Sequence, residues 1–326
     1  MREIKIDKND SNQRLDRFMV KYLPKAPKSL INKYIRTKKI KINKKRANPN
    51  DILEEGDLIQ IYVYEEILTT YEDKKIYTNL DYNLDIIYED DNIAIINKPS
   101  GILSHAANKE DYGNNVVDNF IGYLIKTKKY NPRIEKSFVP ALSNRLDRNT
   151  SGLLIGCKNK ESLLQMNNLI KSRKINRNYL TICKGKIEDG TIDFNIKKVS
   201  ENKMKISKDD GKESKTKIKL VKTNGDYSLV KIKLITGRTH QIRVHLQSVN
   251  HPIVGDKKYG DKNINKYFSN KYKLENQLLH SYKIKFSGLQ GELSYLNGKE
   301  FFADPPVKFK NIIKEIFGEK YENIYR

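Results

Sequence analysis

An acid flanked by two arginines, in a turn-forming cluster, is the feature of this sequence that most suggests chemistry. Asp147 lies between Arg145 and Arg148, and an apolar run follows at residues 153–155. This order predicts a carboxylate at the mouth of a strand. Two neighbouring cations would favour its ionised form, which either a carboxylate nucleophile or a structural ion pair requires. A second Arg-Leu-Asp-Arg string, at residues 14–17, lies in an ordinary helical pattern, so the string alone does not decide between the two.

A second polar block, residues 236–246, follows a strand pattern and opens a helical one. Ile242, Leu246 and Val249 recur at helical spacing. The predicted helix carries four polar side chains on its polar face and around its first turn: Arg238, His240, Gln241 and Arg243. Arg and Gln at a helix N-terminus suit phosphates and base edges, although a surface Arg is more often only solvated.

The elements that must hold these side chains indicate an α+β domain. Strand patterns outnumber helical ones and most connections are short or hairpin-like, so we predict a mixed, largely antiparallel sheet with helices packed on it. One strand, at residues 179–183, begins with Tyr179, and a Tyr in that place usually packs half-buried. Residues 185–216 are Lys-rich and predict a hairpin. Towards the C-terminus we predict a strand pair at residues 282–286 and 294–296.

Residues 1–64 contain a small module in which two helical patterns precede two strand patterns. Between Lys21 and Arg46 there are eleven Lys and Arg residues and no acid. A charge run is usually a solvated face, but a compact αα-ββ unit with surface charge of one sign is better explained as a phosphate-binding surface. Apolar periodicity fades at residues 65–83, which we interpret as a linker to a second domain at residues 84–326.

The charge balance of the whole chain indicates a polyanionic partner. The 326 residues include 63 Lys and Arg against 40 Asp and Glu, a net charge of +23. Nucleic acid is favoured over a membrane surface, because no amphipathic or lipidation signal accompanies the charge. Neither a signal-peptide core nor a run of about 18 apolar residues occurs, which predicts a soluble, cytoplasmic protein. Cys157 and Cys183 lie in apolar runs, as buried thiols do, and no Cys or His shows metal-ligand spacing.

Several ordered blocks beyond residue 84, with the N-terminal module before them, resemble the RluA family of RNA pseudouridine synthases that carry an S4 RNA-binding domain. The blocks are residues 97–101, 145–152, 179–180, 237–245, 255–256, 259–260 and 279–280. The resemblance implies an α+β catalytic domain and, for this architecture, a substrate in large-subunit (23S) ribosomal RNA. The family reaction breaks the N1 to C1′ bond of a uridine, rotates the uracil and joins C5 to C1′. Such an isomerisation implies no cofactor.

The resemblance also implies roles for single residues. Asp147 is the catalytic carboxylate, which either attacks the nucleotide or takes a proton from the ribose. Tyr179 would pack on the target base and is a candidate for deprotonating C5, and Arg243 would be the buried cation paired with Asp147. RNA contacts are expected from four residues of the catalytic domain and five of the S4 module: Arg145, Arg238, His240, Gln241, Arg36, Lys38, Lys39, Lys44 and Lys45.

Two positions depart from the family pattern, and alternatives stay open. Asn144 stands where members usually have His, and Ala106 stands where Pro usually follows the His that corresponds to His105. We interpret Asn144 as not essential to the chemistry, with an altered contact to RNA. Transfer RNA is the alternative substrate, and the main rival function is a non-catalytic, ribosome-associated RNA-binding protein in which Asp147 is only an ion-pair partner. A DNA-binding regulator is less favoured, because no helix-turn-helix or zinc pattern is present. We expect a monomer with no metal.

Overall fold

The structure is a computed structural model that describes residues 1–72, 84–132, 137–200, 203–207 and 209–318. The described residues group into two compact units. The first takes its residues from three segments: Met1–Tyr82, Phe120–Ala141 and Lys158–Glu161. The second takes its residues from the other three: Asn83–Asn119, Leu142–Cys157 and Ser162–Arg326.

The N-terminal module in the first unit is a helical hairpin packed with a four-stranded sheet. Its elements are β1 (Arg2–Lys5), α1 (Leu15–Tyr22), α2 (Lys28–Arg36), β2 (Ile40–Ile42), β3 (Lys45–Arg46), β4 (Leu58–Ile61) and α3 (Glu65–Tyr71). The strand order is β1-β4-β2-β3. Phe18 of α1 and Ile31 of α2 are fully buried, because the apolar residues of each helix fall on one stripe. The predicted αα-ββ core is therefore present, with two additional strands, β1 and β3, at the edges of its sheet.

Helix α3 corrects the predicted start of the linker. Glu65–Tyr71 is helical, although its sequence showed no apolar periodicity. Leu68 is fully buried in the core of the N-terminal module, and Arg2 of β1 pairs with Glu72, just after the helix. A single buried leucine in a seven-residue helix leaves no periodic pattern for sequence analysis to detect. The remainder of the predicted linker, residues 73–83, lies outside the described residues.

A ten-stranded sheet forms the centre of the second unit. The elements after the N-terminal module are β5 (Asp85–Glu89), β6 (Ile93–Lys98), α4 (Val116–Lys126), β7 (Ala141–Leu142), β8 (Ser151–Cys157), α5 (Lys160–Lys171), β9 (Asn176–Lys184), β10 (Gly190–Asp193), β11 (Asn195–Ser200), β12 (Lys203–Ser207), β13 (Lys215–Thr223), β14 (Tyr227–Leu234), α6 (Gln241–Ser248), α7 (Lys262–Tyr272), β15 (Leu279–Lys285), β16 (Glu300–Phe302) and α8 (Val307–Phe317). The main path of the sheet is β10-β13-β14-β9-β15-β8-β6-β5. The β15–β8 pairing is parallel and the flanking pairings are antiparallel, which confirms the predicted mixed, largely antiparallel sheet.

The middle of this sheet is covered on both faces. Every residue of β8 is buried, as are residues 179–183 of β9, as expected for strands whose two faces are both covered. Strands β8 and β15 approach closely at Gly152, whose φ is +114°. A Cβ built at this position would lie 2.3 Å from the carbonyl oxygen of Ser281, so a glycine is required there. The strand that follows the Asp147 loop is therefore fixed in the core.

Two details near the edges differ from the sequence prediction. The strand predicted at residues 294–296 is wrong, because Gly291–Leu296 is a 3₁₀-helix and β16 is the strand that pairs with β15. Helix α7 was not predicted. The hairpin predicted within residues 185–216 is confirmed as the β11–β12 pair, and Cys157 and Cys183 are buried free thiols, as expected. Among the described residues, no helix is long and apolar enough to cross a bilayer.

Candidate active site

A cavity of about 860 Å³ lies in the second unit, where strand ends and two loops meet. Ligand pockets commonly span about 300–1,000 Å³, so the space is adequate for a nucleotide. Two segments form much of its wall: residues 143–150, which lead into β8, and residues 237–243, which lead into and begin α6. Tyr179 of β9 also lines it. The fold therefore brings together the two polar blocks that the sequence singled out.

Asp147 is held by Arg243 and not by its sequence neighbours. Its Oδ2 accepts a hydrogen bond from Arg243 Nη1 at 2.8 Å, and its side chain is 25% exposed. Arg148 instead pairs with Asp111 at 3.3 Å, and Arg145 is exposed, with no ion pair in the described part of the chain. The expectation that the two flanking arginines would hold the carboxylate is thereby corrected. The structure places Arg243 at Asp147, as the family resemblance implied.

Arg243 is itself held by a second carboxylate, Asp256, that sequence analysis missed. Asp256 is fully buried, and its two oxygens accept hydrogen bonds from Arg243 Nε at 2.7 Å and from Nη2 at 2.9 Å. Burial alone would lower the pKa of Arg243, but the hydrogen bonds and charge of Asp256, then those of Asp147, raise it above its ordinary value. The guanidinium is therefore a permanent cation in a fixed orientation.

The carboxylate of Asp256 is ionised for the complementary reason. Burial acts to raise its pKa, but the hydrogen bond and charge of Arg243, with the backbone N–H groups of Tyr259 and Lys258, hold that pKa below its usual value. The sequence did carry a signal, since residues 255–256 belong to one of the family blocks. No role followed from sequence because the partner lies 13 positions away, on another element.

His240 lies next to the same carboxylate. It precedes α6 in a left-handed conformation, with φ of 55°. Its Nδ1 is 2.9 Å from Tyr259 Oη, which in turn accepts the Met204 N–H at 2.9 Å. Because that N–H can only donate, the Tyr259 hydroxyl hydrogen is available for Nδ1, and the matching tautomer carries its proton on Nε2, 3.9 Å from Asp147 Oδ2. Burial lowers the pKa of His240, which favours this neutral form.

Tyr179 is buried in the cavity wall, with 4% of its surface exposed. Burial raises the pKa of its phenol, and the charge of Arg177 acts against that shift. The phenol is therefore protonated at neutral pH. A role in taking the C5 proton requires the bound substrate or a neighbouring cation to favour the phenolate.

The turn at residues 97–101, together with Ser104, fixes the loop of Asp147. Three side chains donate to backbone carbonyls of that loop: Lys98 to Arg148 at 2.9 Å, Ser100 to Asn149 at 2.8 Å, and Ser104 to Leu146 at 2.9 Å. Lys98 is fully buried, and burial lowers its pKa to about 7. In the sequence, residues 97–101 stood out only as one of the family blocks. The contacts of this segment with the loop of Asp147 could not be predicted from sequence, because they join positions about 50 residues apart.

Two residues that we expected to contact RNA form hydrogen bonds within the protein. Gln241 is 2% exposed, its Oε1 accepts hydrogen bonds from the Thr236 hydroxyl and the Arg238 N–H, and its Nε2 donates to strand β13. Asn144 is also buried, and its side chain bonds the backbone of β8 at the Leu153 carbonyl and the Ile155 N–H. Both residues also line the cavity, and their contacts with RNA stay predictions. They shape the two loops of the cavity.

Apart from His240, the other predicted RNA-binding residues are accessible. Arg145 and Arg238 are exposed, and both line the cavity. The five basic residues of the N-terminal module are also exposed, and within the described ranges none of them forms an ion pair: Arg36, Lys38, Lys39, Lys44 and Lys45. Their charges are available to a polyanion.

Comparisons with known proteins agree with this arrangement. The family model described as RNA pseudouridylate synthase matches residues 92–248, and the S4 domain model matches residues 13–59. The chain is 35% identical, over 96% of both chains, to "Ribosomal large subunit pseudouridine synthase C" of Buchnera aphidicola subsp. Acyrthosiphon pisum. It is 31% identical to the protein of the same name from Escherichia coli K12, over 87% of this chain and 88% of that one.

A solved structure shares the fold. "Human RNA Pseudouridylate Synthase Domain Containing 4" superposes with a TM-score of 0.55 at 22% identity, over 71% of this chain and 92% of that one. The fold and the site thus define an RNA pseudouridine synthase preceded by an S4 domain. Within that class, the chain belongs to the RluA family of RNA pseudouridine synthases.

Proposed function

We propose that this enzyme isomerises one or more uridines of large-subunit ribosomal RNA, with Asp147 as the catalytic carboxylate. The observation that carries the proposal is the carboxylate of Asp147, held at 2.8 Å by Arg243 in a cavity that also contains Tyr179. The choice of RNA is supported by relatives named ribosomal large subunit pseudouridine synthase that match most of the chain. The proposed reaction needs no redox cofactor, because isomerisation changes no oxidation state. We further propose that the enzyme acts as a monomer.

The charge of the cavity suits an RNA substrate. Two acids line it, Asp111 and Asp147, against seven Lys and Arg residues: Arg145, Arg148, Arg177, Arg238, Arg243, Lys257 and Lys258. The target uridine must leave its stack to enter, at a cost of a few kcal/mol that is lowest where the RNA is already looped. Phosphate contacts at the cavity rim and on the S4 surface offset that cost.

In the reaction, Asp147 either attacks C1′ or removes a ribose proton, and either route breaks the N1 to C1′ bond. Arg243 keeps the carboxylate ionised and aimed, since the second pair with Asp256 prevents the guanidinium from moving with it. Tyr179 packs on the uracil while the ring rotates. When C5 joins C1′, the Asp147 carboxylate leaves C1′ on the first route, or returns the ribose proton on the second. The C5 proton then leaves through Tyr179 or solvent and N1 regains a proton, so atoms and charge balance.

Tritium release from RNA labelled at uracil C5 tests the proposed substrate. Unmodified 23S ribosomal RNA and bulk unmodified transfer RNA would be offered to the full chain in parallel. We expect release from the ribosomal RNA, limited to a few uridines that chemical mapping of pseudouridine then locates. Release from transfer RNA alone would overturn the substrate assignment and leave the chemistry standing.

A further inference from the structure

Arg177 is a cation of the cavity wall that none of the roles above uses. It lies on β9, two residues before Tyr179, so both side chains point to the same face of the sheet. It lines the cavity together with the Asp147 loop. Its charge is felt at the Tyr179 phenol, where it opposes the effect of burial on the pKa.

The guanidinium of Arg177 lies against the backbone of Gly237. A Cβ built on Gly237 would be 2.9 Å from Nη1, 3.1 Å from Nη2 and 3.4 Å from Cζ of Arg177. Any other residue at position 237 would therefore displace the guanidinium. Gly237, near the start of the second polar block, therefore leaves room for this cation next to Tyr179.

No acceptor satisfies this guanidinium in the described part of the chain. Its Nε is buried without a hydrogen-bond partner, and no hydrogen bond or ion pair of the described residues involves its side chain. Two other arginines of the cavity are matched by acids: Arg243 by Asp147 and Asp256, and Arg148 by Asp111. A half-buried cation without an acceptor destabilises a fold. The presence of Arg177 in the cavity is therefore explained if the substrate supplies the missing acceptor.

We propose that Arg177 binds a negatively charged oxygen of the target nucleotide when the flipped uridine occupies the cavity. Two oxygens have that chemistry. One belongs to a phosphate next to the target, and the other is a uracil carbonyl that gains charge when the N1 to C1′ bond breaks. This inference rests on the proposed function, because it takes the occupant of the cavity to be a uridine of RNA.

The test compares Arg177→Met and Arg177→Lys with the wild type, in the full chain. Arg173→Met is the matched control, since it removes the same charge from an exposed arginine that pairs with Glu213 at 2.9 Å outside the cavity. Three quantities are measured: the midpoint of urea unfolding, the Kd for 23S RNA at several salt concentrations, and the single-turnover rate at saturating enzyme.

We expect Arg177→Met to fold with unchanged or higher stability, because no hydrogen bond within the protein is lost, and to be impaired towards RNA. A phosphate contact predicts a Kd weakened about tenfold and a salt slope that is shallower by about one unit. A uracil contact predicts an unchanged Kd and a single-turnover rate about tenfold or more lower, as for loss of a charge-assisted hydrogen bond. The impairment of Arg177→Lys should be intermediate, because lysine keeps the positive charge and lacks the planar, two-pronged guanidinium.

Three results would overturn the inference. The first is that Arg177→Met binds RNA and reacts as the wild type does. The second is that the control Arg173→Met is impaired as much as Arg177→Met. The third is a marked loss of stability in Arg177→Met, which would make the residue structural. Should the wild type itself form no pseudouridine, the proposed function fails, and an unchanged Kd in Arg177→Met would then overturn the Arg177 assignment separately.

Discussion

Arg243 is shared between two carboxylates that have different tasks. Asp256 takes two of its N–H groups in the core, and Asp147 takes one at the cavity. Because the first pair is fully buried, it fixes the guanidinium, and the guanidinium then fixes Asp147. Arginine suits this task better than lysine, since its planar fork can bind both acids at once.

Asp256→Asn should therefore reduce both stability and activity. Removing one partner of a buried ion pair costs about 3–5 kcal/mol, since it leaves the other charge without compensation. Urea unfolding and the single-turnover rate would measure the two effects. Asp261→Asn serves as the control, because Asp261 caps α7 and pairs with Lys184 at the surface, where loss is about 1 kcal/mol or less. Equal small losses in both variants would contradict the role given to Asp256.

The string Arg-Leu-Asp-Arg occurs twice, and its two aspartates lie in opposite environments. Arg14 binds Asp16 at 2.9 Å and the carboxylate is nearly buried, with 4% of its side chain exposed. In the second copy, Arg145 leaves Asp147 open to the cavity, and the partner comes from α6. Local sequence could not distinguish a local ion pair from a site, because the deciding contact in the second copy lies 96 positions away.

His280 gives the fold a specific sensitivity to acid. Its Nδ1 accepts from Ser151 Oγ at 2.9 Å and its Nε2 donates to the Ala303 carbonyl at 2.9 Å, so the folded state holds the neutral ring at the start of β8. Burial lowers its pKa to about 4. A folded pKa below the unfolded value of about 6.5 means that the stabilisation is complete above pH 6.5 and is lost as the pH falls to 4.

Urea unfolding between pH 7 and pH 4 would show this as a difference between the wild type and His280→Gln. The wild type should lose on the order of 3 kcal/mol more than the variant over that range, because the variant has no group to protonate there. Other titrating groups are common to both proteins and cancel in the difference. Parallel pH curves would mean that His280 is not held neutral.

At the scale of the elements, the parallel contact of β8 with β15 requires a glycine. Gly152→Ala should destabilise strongly or prevent folding, by more than about 4 kcal/mol, because the new Cβ would meet the Ser281 backbone and φ is positive. Gly190→Ala on β10 is the matched control, since nothing lies within 4 Å of the Cβ position there. Thermal melts of both would be compared. A near-neutral effect at Gly152 would show that the two strands can separate.

Periodic elements were predictable from sequence, and elements defined by a partner were not. Helix α6 and strands β9 and β15 follow from apolar spacing and lie close to where it predicted them. Helix α3 and strand β16 each depend on a few contacts with distant residues, and they were missed or misplaced. The site divides in the same way. Family blocks located Asp147, Tyr179 and Arg243, whereas Asp256 and Arg177 required the packed structure.

At the scale of the whole molecule, the excess of positive charge should govern RNA affinity through the S4 surface. The double variant Lys44→Glu/Lys45→Glu should weaken 23S RNA binding about tenfold or more. The slope of log affinity against log salt concentration should become shallower by roughly one to two units. Filter binding at several salt concentrations measures both. The double variant Lys262→Glu/Lys266→Glu on α7 is the control, since it removes the same net charge from exposed positions. Equal weakening in the two proteins would assign the effect to net charge alone.

The proposed chemistry depends on one carboxylate, and one measurement tests that proposal most directly. Tritium release from C5-labelled 23S RNA would be followed for the wild type, Asp147→Asn and Asp111→Asn. Asp111 lines the same cavity, so Asp111→Asn is a control that removes one negative charge from the cavity wall and leaves Asp147 in place. We predict release by the wild type and Asp111→Asn, and none by Asp147→Asn although it folds and binds RNA within about tenfold of the wild type. Release by Asp147→Asn at the wild-type rate would contradict the assignment of Asp147 as the catalytic carboxylate.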